Sequence, residues 1–255
     1  METETTSKNC AVALLDILGS RTHDTEVTPR VKKRMDILRQ SIERVIEETK
    51  KLIKQSGSEL PDPQYMAFGD SVLFLWALDD EHRFLPFIAY ALGDVFVDAL
   101  ENGIPLRGAL SFGHVRYDNQ VALGPAVSDA GAWYEKANAL AIIVTPRTGL
   151  LVDMYRPQDP DLIDRAFTKF GFQLKGINGK RDMWAVSWPS VLRERAQQKG
   201  IAETEIRPRL LATLYERFVI PIEAESKYAE ILPFFDECAS RWANQADAEQ
   251  QDGRS

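Results

Sequence analysis

Two carboxylates stand where a carboxylate is costly. Asp16 interrupts the apolar run AVALLDIL at 11–18, and Asp70 lies in a Gly69-Asp70 pair between the short apolar stretches YMAF and SVLFLW. An ionised carboxylate in an apolar strand needs a cation or several donors beside it. Each also has a local use, Asp16 as a cap for the turn at Gly19-Ser20 and Asp70 as a turn former. If the first strand and the hairpin lie side by side, both carboxylates reach one end of the sheet. Two carboxylates there suit Mg²⁺ or Mn²⁺, which need few protein oxygens when substrate phosphates supply the rest. The backbone from Ile17 through Leu18 to Gly19 offers N–H groups to a phosphate, with Gly19 permitting close approach.

The elements that position these groups follow from periodicity. Residues 11–18 read as a buried strand bounded by Gly19-Ser20. From about 28 to 55, Val31, Met35, Leu38, Ile42, Val45, Ile46, Leu52 and Ile53 recur at helical spacing, and Gly57 stops the helix. Pro61 and Pro63 mark a loop before the hairpin. A second, well-buried helix reads from about 81 to 101, with Asn102-Gly103 as its stop. PLRGALSFG and HVRYDNQVALG read as two strands with a turn near 117–120, followed by a helix at 125–138 and the short strand AIIVTP. After Pro146 come a helical stretch and strands near 171–175 and 183–188. From Pro189 to about 245 the chain is helical in character. This order resembles a ferredoxin-like split unit with an extra hairpin, an α+β domain with a mixed sheet and helices on one face. The division expected is a flexible 1–9, a main domain over 10–188, a helical extension over 189–245 and a flexible tail over 246–255.

Composition narrows the function class. The 255 residues carry 38 acidic and 31 basic side chains, a formal charge of −7, so the surface is not built to attract a nucleic-acid backbone. No run approaches the roughly 20 apolar residues of a membrane span, and direct membrane contact is not expected. The opening METETTSKNC lacks the basic start and apolar stretch of a secretory signal, so a cytoplasmic location is expected. Cys10 and Cys238 lie far apart, without zinc or disulfide spacing. The three histidines, His23, His82 and His114, read as surface or packing residues rather than ligands.

With these elements in place, DILGS, FGDSVLFLW, PLRGALSFGHV and ALGPAV resemble, in order, the successive motifs of class III nucleotidyl cyclases. More closely, DILG, RGALSFG and GPAVSDAGAWYEKA resemble the pyrimidine cyclases of bacterial Pycsar anti-phage systems. The resemblance spans roughly 10–188. It implies a homodimer with active sites at the subunit interface, converting a nucleoside triphosphate into its 3′,5′-cyclic monophosphate and pyrophosphate. It implies two ions, Mn²⁺ or Mg²⁺, on Asp16 and Asp70, with the Ile17 carbonyl as a further ligand. One ion would activate the ribose 3′-hydroxyl and the other would bind the triphosphate.

The same resemblance places the adenine-selecting lysine of purine cyclases at Met66, and the matching aspartate near Val121, so the adenine-reading pair is absent. Tyr65 and Met66 are expected to narrow the pocket around a pyrimidine, with UTP the first choice and CTP the alternative. The transition-state Asn and Arg of the family fall at Ser128 and Ala132. Arg107, Arg116, Lys136, Lys175, Lys180 and Arg181 are the cations available to substitute. Lys175-Gly176 resembles the Lys-Gly that ends the cyclase domain, with Lys180 or Arg181 as alternatives, and Arg107 also reads as a residue of the dimer interface. The cyclic product is expected to signal in phage defence through a separate effector.

Two rival readings exist beside a third possibility, an active cyclase that takes a purine, which testing ATP and GTP beside UTP and CTP discriminates. Phe68-Gly69-Asp70-Ser71 matches the opening block of GDSL-type esterases, with Ser71 as nucleophile. That family needs an Asp-x-x-His pair near the C-terminus; here the only such spacing is Asp79 to His82, and no histidine follows His114. The other rival is a non-catalytic nucleotide sensor, motivated by Ser128 and Ala132; retention of both Asp16 and Asp70 argues against it.

Overall fold

The computed structural model describes residues 6–18, 27–55, 62–78, 81–118, 121–136, 138–218 and 225–252. Strand β1 (Thr6–Ile17) leads into the long helix α1 (Val27–Gln55), then the hairpin β2 (Gln64–Phe68) and β3 (Ser71–Ala77). Helix α2 (Glu81–Glu101), β4 (Leu106–Tyr117), β5 (Ala122–Leu123), α3 (Pro125–Trp133) and β6 (Ile142–Val144) follow. Next come α4 (Pro146–Tyr155), α5 (Pro160–Ala166), β7 (Phe167–Gln173) and β8 (Lys180–Val186). The chain closes with α6 (Trp188–Gln198), α7 (Glu203–Arg217), the single turn α8 (Glu225–Tyr228) and α9 (Ile231–Asp252).

The strands form one mixed sheet in the order β2-β3-β1-β4-β6-β8-β7, with β5 paired to β4. Among the described residues only β4 and β6 run parallel, joined by a crossover that contains α3. The α+β architecture with a helical C-terminus is as expected. Alternation along β1 decides what each face meets. Ala11, Ala13, Leu15 and Ile17 enter the main core under α1 and α2, while Cys10, Val12 and Leu14 enter a smaller core with Leu73, Leu75, Val115 and the α3 residues Ala126 and Ala130. The helices therefore do not all lie on one face, as the sequence suggested: α3 covers part of the other.

Several boundaries differ from the expected ones for identifiable reasons. Residues 6–9, expected to be flexible, are strand, because β1 pairs with β4 along its whole length, from Thr6 opposite Tyr117 to Ile17 opposite Leu106. PLRGALSFG and HVRY form one continuous strand rather than two. Helix α3 stops at Trp133 instead of continuing to 138. The expected frayed tail from 246 is helical through Asp252. Phe234, Phe235, Cys238 and Trp242 bury one stripe of α9 in the main core, and that anchoring propagates the helix. The same core takes in Val191, Ile206, Leu210 and Ile231, so the C-terminal helices pack on the sheet's own helices rather than standing apart. Arg195 of α6 pairs with Asp94 and Asp98 of α2, and Arg44 of α1 also reaches Asp98, tying three helices together.

Gly108 lets β4 approach β1 closely. A Cβ there would lie 2.5 Å from the Leu14 carbonyl oxygen and 2.7 Å from a Leu15 methyl. Gly108→Ala is therefore expected to destabilise the fold by about 2 kcal/mol, read from urea denaturation, because backbone cannot move aside as a side-chain tip can.

Burial pushes the thiols of Cys10 and Cys238 up to about 11 each. Both stay protonated at pH 8, and the thiolate is the reactive form. Neither thiol is expected to label with a disulfide reagent at pH 8 in the native protein, and both should label in urea.

Candidate active site

The site is built from a row of three residues directly opposite one another. In the β3–β1–β4 register, Ser71 faces Asp16 and Asp16 faces Arg107, all on the side of the sheet that carries α3. The Arg107 guanidinium donates to Asp16 Oδ2 twice, from Nε at 2.9 Å and Nη2 at 2.8 Å, and Ser71 Oγ donates to Oδ1 at 3.0 Å. Asp16 and Arg107 are each only 4% exposed. The cost of burying the carboxylate is thus met by an in-register cation and a hydroxyl. The alternative sequence reading of Asp16, a cap for the following turn, is not needed to explain its burial.

Asp70 joins the row through the backbone. Gly69 adopts φ 61° in the β2–β3 turn, and the Asp70 carbonyl accepts the Ile17 N–H at 3.0 Å. That bond fixes the hairpin turn against the residue after Asp16, so Asp16 and Asp70 sit at one end of the sheet, as expected. The Ile17 and Leu18 amides do not serve the phosphate role the sequence suggested. Ile17 N–H is committed to Asp70, and Leu18 N–H donates to the Pro105 carbonyl at 2.8 Å. The expectation for Gly19 lies outside the described residues.

Strand alternation separates the two expected pocket residues. Met66 sits opposite Leu73 and packs on the α3 side, the same face as Asp16. Tyr65 turns to the other face, its ring tilted 38° to that of Phe74 at 6.1 Å between centres and its hydroxyl donating to Glu43 of α1 at 3.3 Å. Phe68, two residues beyond Met66 and opposite Ser71, shares the site's face and is 53% exposed. It went unread as a site residue, although period-two spacing from Met66 marks it.

The candidate cations also separate. Arg107, read from the sequence as an interface residue, is buried within the chain by its direct register with Asp16. It also contacts Glu135 at 3.4 Å, and its guanidinium carbon lies 5.7 Å from the centre of the Tyr134 ring. Among the described residues, its buried Nη1 has no hydrogen-bond partner. Lys175 is exposed, and its backbone N–H donates to the Lys136 carbonyl at 2.9 Å, tying it to the segment that carries Glu135. Lys180 is not brought to the site. It begins β8, pairs with Glu230 at 3.0 Å and lies over the Phe170 ring. Ser128 and Ala132 are exposed on α3 and carry no charge.

Among the described residues, Arg107 reaches two carboxylates, Asp16 and Glu135, so two formal negative charges face one positive, and Asp70 stands at the turn beside them. Among the described residues, no three His, Cys, Asp or Glu side chains gather into a metal cluster. Two hard-oxygen donors in a negative site fit a divalent cation whose remaining ligands are water and substrate phosphate. A closed protein cage of the zinc type does not fit.

No known family profile matches the chain, and no curated protein matches it in sequence. Similar solved structures include the adenylyl cyclase CyaB from P. aeruginosa, at 14% identity and TM-score 0.43 over 72% of this chain and 95% of that one. Another is an adenylate/guanylate cyclase/hydrolase from Silicibacter pomeroyi, at 17% identity and TM-score 0.44 over 72% of this chain and 98% of that one. A third is a bacterial light-regulated adenylyl cyclase, at 15% identity and TM-score 0.44 over 73% of this chain and 54% of that one.

Proposed function

We propose that this chain is a pyrimidine nucleotide cyclase that converts UTP into 3′,5′-cyclic UMP and pyrophosphate. The observation that supports it most is the Ser71–Asp16–Arg107 row, closed at its end by Asp70 and bordered by uncharged Met66 and Phe68. In the reaction the ribose 3′-oxygen attacks the α-phosphorus, the bond from that phosphorus to the oxygen shared with the β-phosphate breaks to release pyrophosphate, and the 3′-hydroxyl proton passes to water. Divalent cations, Mn²⁺ or Mg²⁺, held by Asp16, Asp70 and the Ile17 carbonyl, would make the 3′-hydroxyl more acidic and offset charge on the leaving pyrophosphate.

The protein's own groups do the rest. Before a cation binds, Arg107 and Ser71 fix the direction of the Asp16 carboxylate, and Asp70 is held in place by its backbone bond to Ile17. The unpaired Nη1 of Arg107 is the cation offered to the triphosphate in place of the charge missing at Ala132, with Lys175 at the rim. Met66 and Phe68 form an apolar wall for a base, with no charged group to read adenine. Tyr65 faces away and does not enter this account of the pocket, nor does Lys180. A second copy of the chain closes the open side of the site beside β2, and the cyclic product signals in phage defence through a separate effector.

Incubation with Mn²⁺ and UTP tests the reaction class. Cyclic UMP and pyrophosphate in equal amounts are expected; UDP with inorganic phosphate, or no turnover, would overturn it. Met66→Lys is expected to lower UTP turnover about tenfold or more relative to ATP, because a half-buried ammonium beside a pyrimidine lacks its partner. An unchanged nucleotide profile would remove β2 from base selection.

A further inference from the structure

Arg107 is shared between two carboxylates, and the sharing is unequal. Asp16 Oδ2 accepts from both Nε and Nη2 at 2.9 and 2.8 Å, whereas Glu135 Oε1 lies 3.4 Å from Nη2, beyond the usual range of such a bond. A guanidinium has five N–H donors in a rigid fork, and Asp16 leaves Nη1 unsatisfied although the side chain is buried. Oδ2 is therefore saturated by one cation that has donors to spare for a second acceptor.

For Asp16 to bind a divalent cation through Oδ2, the guanidinium must give up that oxygen. A buried guanidinium left without an acceptor is strongly unfavourable. Glu135 is the acceptor already within reach, and the centre of the Tyr134 ring lies 5.7 Å from the guanidinium carbon. Glu135 follows α3, and the Lys175–Lys136 backbone bond anchors its segment to the end of β7. It does not gather with Asp16 and Asp70 as a third ligand.

We propose that Glu135 is a positioning residue for the cation site: it draws Arg107 off Asp16 and so opens Asp16 Oδ2 to a divalent cation. This rests on the cation site proposed above. Loss of an outer-shell partner of this kind weakens metal binding by about tenfold to a hundredfold.

The test is Mn²⁺ binding to the full chain without nucleotide, followed by the electron paramagnetic resonance signal of free Mn²⁺. Glu135→Gln is expected to weaken binding about tenfold. In an Arg107→Lys background, where the fork is gone, Glu135→Gln should add no further loss. An equal loss in both backgrounds would mean that Glu135 acts through its charge alone, and would overturn the proposal, as would unchanged binding in Glu135→Gln. If Arg107→Lys does not fold, the Arg107 Nε–H resonance decides. It should move on Mg²⁺ addition in the wild type and stay fixed in Glu135→Gln; a resonance that stays fixed in the wild type, or moves alike in both, overturns the proposal. Binding that Asp70→Asn abolishes and Glu135→Gln spares defeats this inference alone. Absence of Mn²⁺ binding in the wild type, or binding that Asp70→Asn leaves intact, defeats the cation site and this inference together.

Discussion

Asp70→Asn is expected to reduce cyclisation at least about a thousandfold while leaving the fold intact. Asp70 stands at the turn beside Asp16, and the substitution takes away one of the two carboxylate charges that would hold the cations. The turn itself should survive. Asn favours the same turn geometry, and the bond that seats the hairpin uses the Asp70 backbone carbonyl, not its side chain. Initial rates and a thermal melt check both halves. A variant that keeps activity within tenfold of wild type removes Asp70 from the chemistry.

Arg107→Met is the second large effect, and it falls on stability. The substitution strips Asp16 of its paired cation in a site that is almost wholly buried, and breaking a buried pair from one side costs about 3–5 kcal/mol. For a chain of this length that corresponds to a melting temperature lowered by roughly 10 °C. Replacing both members, as in Asp16→Leu with Arg107→Met, should recover most of the loss, because no uncompensated charge remains. The double variant should be folded and inactive. A single variant that loses less than about 1 kcal/mol would mean that Asp16 does not depend on Arg107 for its charge balance.

How legible the site was in the sequence depended on how local each signal was. The β2–β3 turn was readable because Gly69-Asp70 between apolar runs is a local pattern, and the bounds of α2 followed from periodicity and its Asn-Gly stop. The Asp16 partner was not readable. Asp16 and Arg107 are 91 residues apart, and their pairing depends on the β1–β4 register, which no local pattern states. The commitment of the Ile17 and Leu18 amides depends on the same long-range packing.

Other differences did carry a signal. Tyr65 and Met66 are adjacent in a strand, so period two alone places them on opposite faces and picks Phe68 as the companion of Met66. The buried stripe of α9, at Phe234, Cys238 and Trp242, was present at four-residue spacing, but the polar composition after 245 obscured its continuation. Glu135 had no such mark. A carboxylate just past a short helix is ordinary in sequence, and its contact with Arg107 depends on long-range packing, in which the Lys175–Lys136 backbone bond takes part.

The most direct test of the central claim is a competition among all four ribonucleoside triphosphates at equal concentration with Mn²⁺, resolving each cyclic product, with Asp70→Asn beside the wild type. Cyclic UMP is expected as the main product, absent in the variant. Cyclic AMP or cyclic GMP as the main product would contradict the reading of the Met66–Phe68 wall, and no cyclic product from any nucleotide would contradict the assignment of the site to cyclisation.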